Sequence, residues 1–372
     1  MSTISIEPVL SKREREEFIR FPWKIYQGYE HWVPPLLMDR RKLIDTVKNP
    51  FYKHSEVEFF IARKNGEMVG RIAAIINHNH NKEHNDTTGF FGFYESINDQ
   101  EVTNALVKEA EAWLKARKMT VIRGPANPSV NDEYGLLIDG FNLPPTVLMT
   151  YNPEYYTTLL EKAGYKKAKD LYAYLLSQTT VYSDKFDRVA DAVKKRSGLT
   201  FRSLNMKDFK NEVARLKKVY NGAWQYNWGA VPMTSEEFDA LASDLKPVVE
   251  PELVIMAEYK GELIGFALSL PDLNMALKYN KRGYLLPGLY CMFRYKKLIN
   301  KVRIIVLGVL PEYLKTGAAS VLFYETAARA KKAGYDYGEA SWVLEDNVMM
   351  NRAAETMNSE LYKKYRIYEK PL

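Results

Sequence analysis

The sequence predicts an α/β protein: a mixed α+β arrangement of sheets with flanking helices, built as two tandem domains of like order. Three observations carry this. At 372 residues the chain is long for one domain and suggests two. Its hydrophobic content of 46% supplies large cores. Short apolar or alternating runs then interleave with runs of helical period, and the same succession occurs twice.

In the first half, residues 3–9 alternate like a strand and 12–27 have helical period. Trp32-Val33-Pro34-Pro35 breaks the pattern, and 38–47 reads as a second short helix. Residues 58–63 and 68–77 are strands joined by Asn65-Gly66, a pair suited to a tight hairpin. Another strand covers 89–96. Residues 99–118 form a helix with Val102, Leu106, Ala110, Trp113 and Leu114 on one side and Asp99 as N-cap. A strand at 121–125, a helix at 152–163 and a strand at 170–177 close this half. A polar stretch, 177–184, leads into a connecting helix over 184–195 that Ser197-Gly198 stops. No Gly/Ser-rich linker separates the halves, so firm packing is expected.

The second half repeats the order. A strand at 199–204 precedes helices at 207–224 and 234–245; Thr234 with Glu237 three residues on makes a capping box. Strands at 253–258 and 263–270 flank the Lys260-Gly261 turn. Next comes Val302 to Gly334, VRIIVLGVLPEYLKTGAASVLFYETAARAKKAG. Its apolar run fits a buried strand, and Pro311 ends it because proline cannot donate to a ladder. After a polar turn come Gly317-Ala318-Ala319-Ser320 and a helix, with Ala319, Phe323, Ala327 and Ala330 on one face and Gly334 as the stop. Free N–H groups in a first helical turn favour an anion, and small residues let a phosphate approach. A strand at 337–343, a helix at 347–357 and a strand at 361–369 follow.

This central stretch resembles the pyrophosphate-binding motif of the GNAT acetyltransferase superfamily, Arg/Gln-x-x-Gly-x-Gly/Ala after a strand. The six positions here are Leu314, Lys315, Thr316, Gly317, Ala318 and Ala319. Gly317 and Ala319 match; Leu314 stands where the family has Arg or Gln. Residues 308–313 are also similar to the family's strand exit, and the order of elements in both halves is the GNAT order. The resemblance implies two tandem GNAT-like (acyl-CoA N-acyltransferase) domains, 1–178 and 199–372, with 179–198 connecting them. It implies acetyl-CoA or another acyl-CoA as substrate, held in the second domain by Val309, Leu310, Lys315, Thr316, Gly317, Ala318, Ala319, Ser320 and Asn351. In the first domain the matching turn reads Ile97-Asn98-Asp99-Gln100-Glu101, with no glycine and two carboxylates, which repel an anion. That domain is expected to lack CoA binding.

A GNAT reaction is attack of an amine on a thioester, with a base taking the amine proton and a donor protonating the thiolate. The family carries Asn-x-x-Ala-x-x-Leu-Tyr in the helix after its fifth strand, its Tyr being the frequent thiolate donor. Here Asn351, Ala354 and Met357 fit, but Asn358 occupies the Tyr position. Tyr362 or Tyr365 could substitute, and Glu345 and Asp346 are candidate bases, Asp346 reading equally as a helix cap. The aromatic cluster Trp224, Tyr226, Asn227 and Trp228 falls where this fold walls its acceptor pocket, or else is a packing knot.

The remaining features set partners. Net charge is +7, which suits anionic ligands, acidic substrates or a membrane surface. Eight basic residues and no acidic one lie in 278–303, mixed with Leu, Tyr, Phe and Met; this insertion reads as a site for an anionic substrate or headgroup, or as a solvated loop. No zinc-finger, RNP or basic-zipper pattern occurs, so nucleic acid is not expected. His78, His80 and His84 read as a solvated polar loop rather than a metal site, and no metal is expected. The turn-rich stretch 124–133 after a strand reads first as structural and second as a binding loop. One cysteine, Cys291, and the absence of a signal or spanning segment point to a cytoplasmic protein. The function expected is acyl transfer from acyl-CoA to an amine. An aminoacyl-tRNA or long-chain acyl donor, or a non-catalytic CoA-responsive or protein-binding module, stand as alternatives.

Overall fold

The computed structural model describes residues 3–181, 184–225 and 227–372. The chain forms two compact units. One comprises residues up to Leu171 together with Ala276–Arg294 and Lys363–Leu372; the other comprises Tyr172–Met275 and Tyr295–Tyr362. The chain therefore passes between units repeatedly, and two segments of the second half belong to the first unit.

The first half of the chain contains β1 (Ile4–Pro8), α1 (Lys12–Ile25), α2 (Leu37–Leu43), β2 (Ser55–Lys64), β3 (Glu67–Asn77), α3 (His78–His84), β4 (Thr88–Ser96), α4 (Gln100–Ala116), β5 (Val121–Gly124), β6 (Ala126–Asn127), β7 (Glu133–Tyr134), β8 (Leu136–Asp139), α5 (Tyr155–Lys162) and β9 (Lys166–Ser177). Strands β1 to β4 pair antiparallel in sequence order. Asn65 and Gly66 take φ of 54° and 82° at the β2–β3 turn, as a tight hairpin requires. β4 and β5 pair in parallel over three residue pairs, Thr88–Val121 to Phe90–Arg123. β5 then pairs antiparallel with a strand from the far end of the chain, Gly124 opposite Tyr368. Val102, Leu106, Ala110 and Leu114 of α4 pack on Ile72, Ala74 and Ile76 of β3, the face its helical period marks out.

The N-terminus of α4 is closed by its own carboxylate. Asp99 accepts from the Glu101 N–H at 2.9 Å and receives Lys64 Nζ at 2.8 Å. The histidine run is a helix and not a loop. His80 is buried, edge-on to Phe90 at 4.9 Å, and burial pushes its pKa down to about 4.

The second half contains α6 (Gln178–Val181), α7 (Asp184–Ser197), β10 (Leu199–Ser203), α8 (Phe209–Trp224), α9 (Ser235–Leu245), β11 (Val254–Tyr259), β12 (Glu262–Pro271), α10 (Asn274–Leu277), α11 (Leu285–Arg294), β13 (Lys301–Val309), α12 (Ala318–Lys332), β14 (Tyr337–Leu344), α13 (Val348–Thr356) and β15 (Glu360–Pro371). In the second unit β10 to β13 are antiparallel, β13 and β14 parallel, and β9 flanks β14. Helices cover both faces. Val213, Leu216 and Val219 of α8 with Phe238 of α9 pack on Val254, Met256 and Phe266. Ala318 and Leu322 of α12 pack on Ile255, Ala257 and Val309 from the other side. Burial on two faces is why β13 reads as a continuous apolar run rather than an alternating one.

The basic stretch 278–303 is not one insertion. Lys278 to Arg294 falls in the first unit and forms α11, whereas Lys301 and Arg303 lie in β13. Lys301 pairs with Asp272 at 3.2 Å, and Arg303 is buried.

The α4 cap gives a stability prediction. The hydrogen bond from Lys64, the main cause, holds the Asp99 carboxyl below its usual range. Its contribution is thus present above the unfolded carboxyl pKa and lost as pH falls through the lowered folded value. Asp99→Ala should cost about 1 kcal/mol at neutral pH, as N-cap losses do. Urea titrations at neutral and acid pH check this: the gap between wild type and variant should narrow in acid.

Candidate active-site cleft

β13 and β14 pair only from Lys301–Tyr337 to Ile304–Ala340, although both strands run on. Beyond that point they part, and a cleft of about 180 Å³ opens between Ile305–Leu307 on one strand and Ser341–Leu344 on the other. Tyr220, Trp224 and Asn227 wall it from α8 and the turn after it; Phe323, Asn347 and Met350 close the remaining side. Trp224 is set by Gly308: a Cβ there would lie 2.3 Å from the indole, so only glycine lets the ring lie against β13. Trp224 also meets Tyr220 and Phe266 at centroid distances of 5.1 and 6.0 Å.

A buried polar network sits where the strands part. Arg303 and Glu339 are register partners in the pair before the last. Glu339 is wholly buried and lies 3.9 Å from the Arg303 guanidinium. The Ser341 hydroxyl donates to Glu339 at 2.6 Å, and Arg303 Nε donates to Ser341 Oγ at 3.0 Å. Tyr362 OH donates to the other oxygen of Glu339. The guanidinium also lies 5.3 Å from the Trp342 ring centre, and the buried Trp342 Nε1 has no hydrogen-bond partner. Ser341 and Trp342 are also among the residues lining the cleft, so the network borders it.

The turn before α12 is built on a glycine. Gly317 takes φ of 82°, a left-handed conformation at the N-terminus of α12 that disfavours a side chain. Gly317 makes no side-chain cap; the Ala318 N–H reaches back to Thr316 Oγ1 at 3.3 Å. Lys315 and Ser320 are exposed, Thr316, Gly317 and Ala319 half-buried, and Ala318 and Val309 buried in the core beneath. Leu310 packs beside Gly222.

The other expected residues spread out. Asn351 accepts from Tyr174 OH at 2.9 Å and donates to the Leu344 and Glu345 carbonyls, which pins the exit of β14. Burial raises the Tyr174 phenol pKa. Glu345 sits in the turn between the cleft-lining Leu344 and Asn347. Tyr362 is held on Glu339 rather than on the cleft wall. Tyr365 lies in the first unit, fully buried opposite Leu137 of β8. Trp224 and Asn227 line the cleft, Trp228 is half-buried outside its lining, and Tyr226 lies outside the described residues. Sequence reasoning missed Arg303, Glu339, Ser341 and Trp342. The available signal was a charge within each of two apolar strands, of opposite sign. Among the described residues no group of three or more His, Cys, Asp or Glu side chains is placed to hold a metal.

Parallel strands that splay over a cleft, with a glycine turn leading into the next helix, define a GNAT-like acyltransferase fold in tandem. Solved structures agree. A tandem GNAT protein from the clavulanic acid biosynthesis pathway superposes with a TM-score of 0.56 at 11% identity, covering 99% of this chain and 98% of that one. A probable N-acyltransferase from Enterococcus faecalis V583 gives 0.55 at 10% identity, covering 100% and 73%. No family model matches the sequence. Two curated proteins do: a bacterial ceramide synthase of Caulobacter vibrioides, 37% identical over 380 residues (99% of this chain, 98% of that protein), and YghO of Escherichia coli K12, 34% identical over 375 residues (99% and 95%). The chain belongs to the family of these two proteins.

The network predicts a large one-sided penalty. Arg303→Met leaves Glu339 buried without its cation and should destabilise the protein by about 3–5 kcal/mol. Chemical denaturation measures this; a loss under about 1 kcal/mol would show that the pair is not needed to hold the strands.

Proposed function

We propose that this chain is an N-acyltransferase that makes the amide bond of a ceramide, joining a fatty acyl group carried on CoA to the amine of a long-chain base. The observation that carries this is the 37% identity to the C. vibrioides bacterial ceramide synthase over nearly the whole of both chains. The cleft supports it. Aliphatic and aromatic residues supply most of its walls, yet the surface exposed inside is largely polar, with Ser341, Asn227 and Asn347 among the lining, which suits the thioester and the amine rather than the acyl tail. The glycine turn at Gly317 and the helix N-terminus that follows it suit the CoA phosphates, with exposed Lys315 beside them.

The chemistry needs one proton to leave the amine as nitrogen attacks the thioester carbon. Ser341 Oγ accepts from Arg303 and donates to Glu339, so its hydroxyl is already aligned to pass a proton on to that carboxylate. In this reading the C–N bond forms while the amine proton passes to Ser341 and the Ser341 proton to Glu339. The C–S bond breaks, CoA leaves as a thiolate that takes its proton from water, and Glu339 returns its proton through Ser341 to the hydroxide so formed, which restores the site. Tyr362 and Arg303 are positioning residues that fix Glu339. Glu345, one residue beyond the cleft-lining Leu344, is the second candidate for the base.

Incubation with a long-chain acyl-CoA and a long-chain base, followed by mass spectrometry, tests the reading: an N-acylated base should appear together with free CoA. Hydrolysis of the acyl-CoA with no amide under any base would sink it. Gly317→Glu adds bulk and charge at the phosphate turn and should abolish acyl-CoA binding by calorimetry, whereas Asp99→Ala should leave that affinity unchanged. Ser341→Ala should lower kcat by about a hundredfold or more with KM little altered; an unchanged kcat would move the base to Glu345.

A further inference from the structure

Helix α11 turns its greasy side outward. Leu286, Leu289, Tyr290 and Phe293 recur at the spacing of one helix face, and they are 77, 56, 64 and 85% exposed. The buried face is the small one, Gly288 and Cys291. A surface helix of a water-soluble protein has these faces the other way round. Around the stripe, 276–294 carries Lys278, Lys281, Arg282 and Arg294 and no acidic residue.

The platform is fixed in place. The Leu37 N–H donates to the Gly283 carbonyl at 2.8 Å, and the Trp23 indole donates to the Lys281 carbonyl at 2.9 Å. Asn280 ties the turn to the Tyr284 carbonyl at 2.9 Å. A Cβ on Gly283 would lie 2.5 Å from the Pro35 carbonyl, so the turn sits directly on the backbone before α2. The exposed stripe is therefore presented by design of the fold and not by looseness.

We propose that α11 docks the protein onto an anionic lipid bilayer, with Leu286, Leu289, Tyr290 and Phe293 entering the headgroup–acyl boundary and the flanking cations meeting lipid phosphates. Charge complementarity selects this occupant. A second copy seated face to face would set four cations against their own equivalents, whereas an anionic leaflet neutralises them and also accepts the apolar stripe. The inference stands on this surface alone and not on the identity of the reaction.

Co-sedimentation of the full chain with vesicles tests it, using dioleoylphosphatidylcholine alone or mixed equally with dioleoylphosphatidylglycerol. The wild type should partition onto the anionic vesicles. Leu286→Ser/Leu289→Ser/Phe293→Ser should lower that partition about tenfold or more at every salt concentration. Lys281→Glu/Arg282→Glu should lower it most at low salt, with the difference shrinking as salt screens the charges. Both variants change exposed side chains, so thermal melts should match wild type. Equal partition of wild type and both variants overturns the proposal. So does a dimer by sedimentation velocity that the serine variant dissolves while vesicle binding is absent throughout.

Discussion

Two parallel strands in a covered sheet normally stay paired, because a buried amide without a partner costs free energy. β13 and β14 separate after Ile304 and Ala340, and the second unit's cleft exists because they do. The Arg303–Glu339 pair lies one step before the separation, with Ser341 one step after it on the same face of β14. Ladder hydrogen bonds end where side-chain hydrogen bonds begin. A buried ion pair is a poor source of net stability, since desolvation offsets most of its attraction, but its geometry is hard to change. Here that rigidity falls at the point where the sheet opens.

The same arrangement explains how a chain with an imperfect motif can keep a GNAT-like fold. Leu314 stands where the motif has Arg or Gln, yet Gly317 still takes the left-handed conformation at the start of α12. A turn set by backbone geometry tolerates the loss of one side chain better than a constellation of side chains would. The first unit shows the opposite case. Its corresponding helix, α4, starts on Asp99, whose carboxylate already takes the place an anion would need.

What the sequence made legible was local. Asn65-Gly66, Lys260-Gly261, the Thr234–Glu237 capping box and the Gly317 turn all appear where their chemistry puts them, because each depends on residues a few positions apart. Tandem GNAT order was readable for the same reason: strand and helix periods are short-range signals. The cleft network was not. Arg303 and Glu339 meet only through strand register, so Arg303 counted as one more cation of a basic stretch. His80 looked like part of a solvated run because its burial comes from packing against Phe90. Tyr365 and Tyr362 are near neighbours in sequence, yet the strand they share is divided between the two units. The inverted faces of α11 were hidden too, since periodicity locates an apolar stripe but not the side from which the rest of the protein covers it.

That division has a consequence for biosynthesis. β4 is buried along its whole length, and its neighbour β5 is completed by β15 through the Gly124–Tyr368 register. The second unit needs nothing beyond Tyr362. During translation the first unit is thus the earlier to leave the ribosome and the later to close. Until residues 363–372 arrive, one edge of β5 stays open beside apolar strands, the kind of edge on which nascent chains mispair. The order of synthesis and the order of completion are reversed, and a ribosome that pauses within the second unit would hold the first in its most adhesive state.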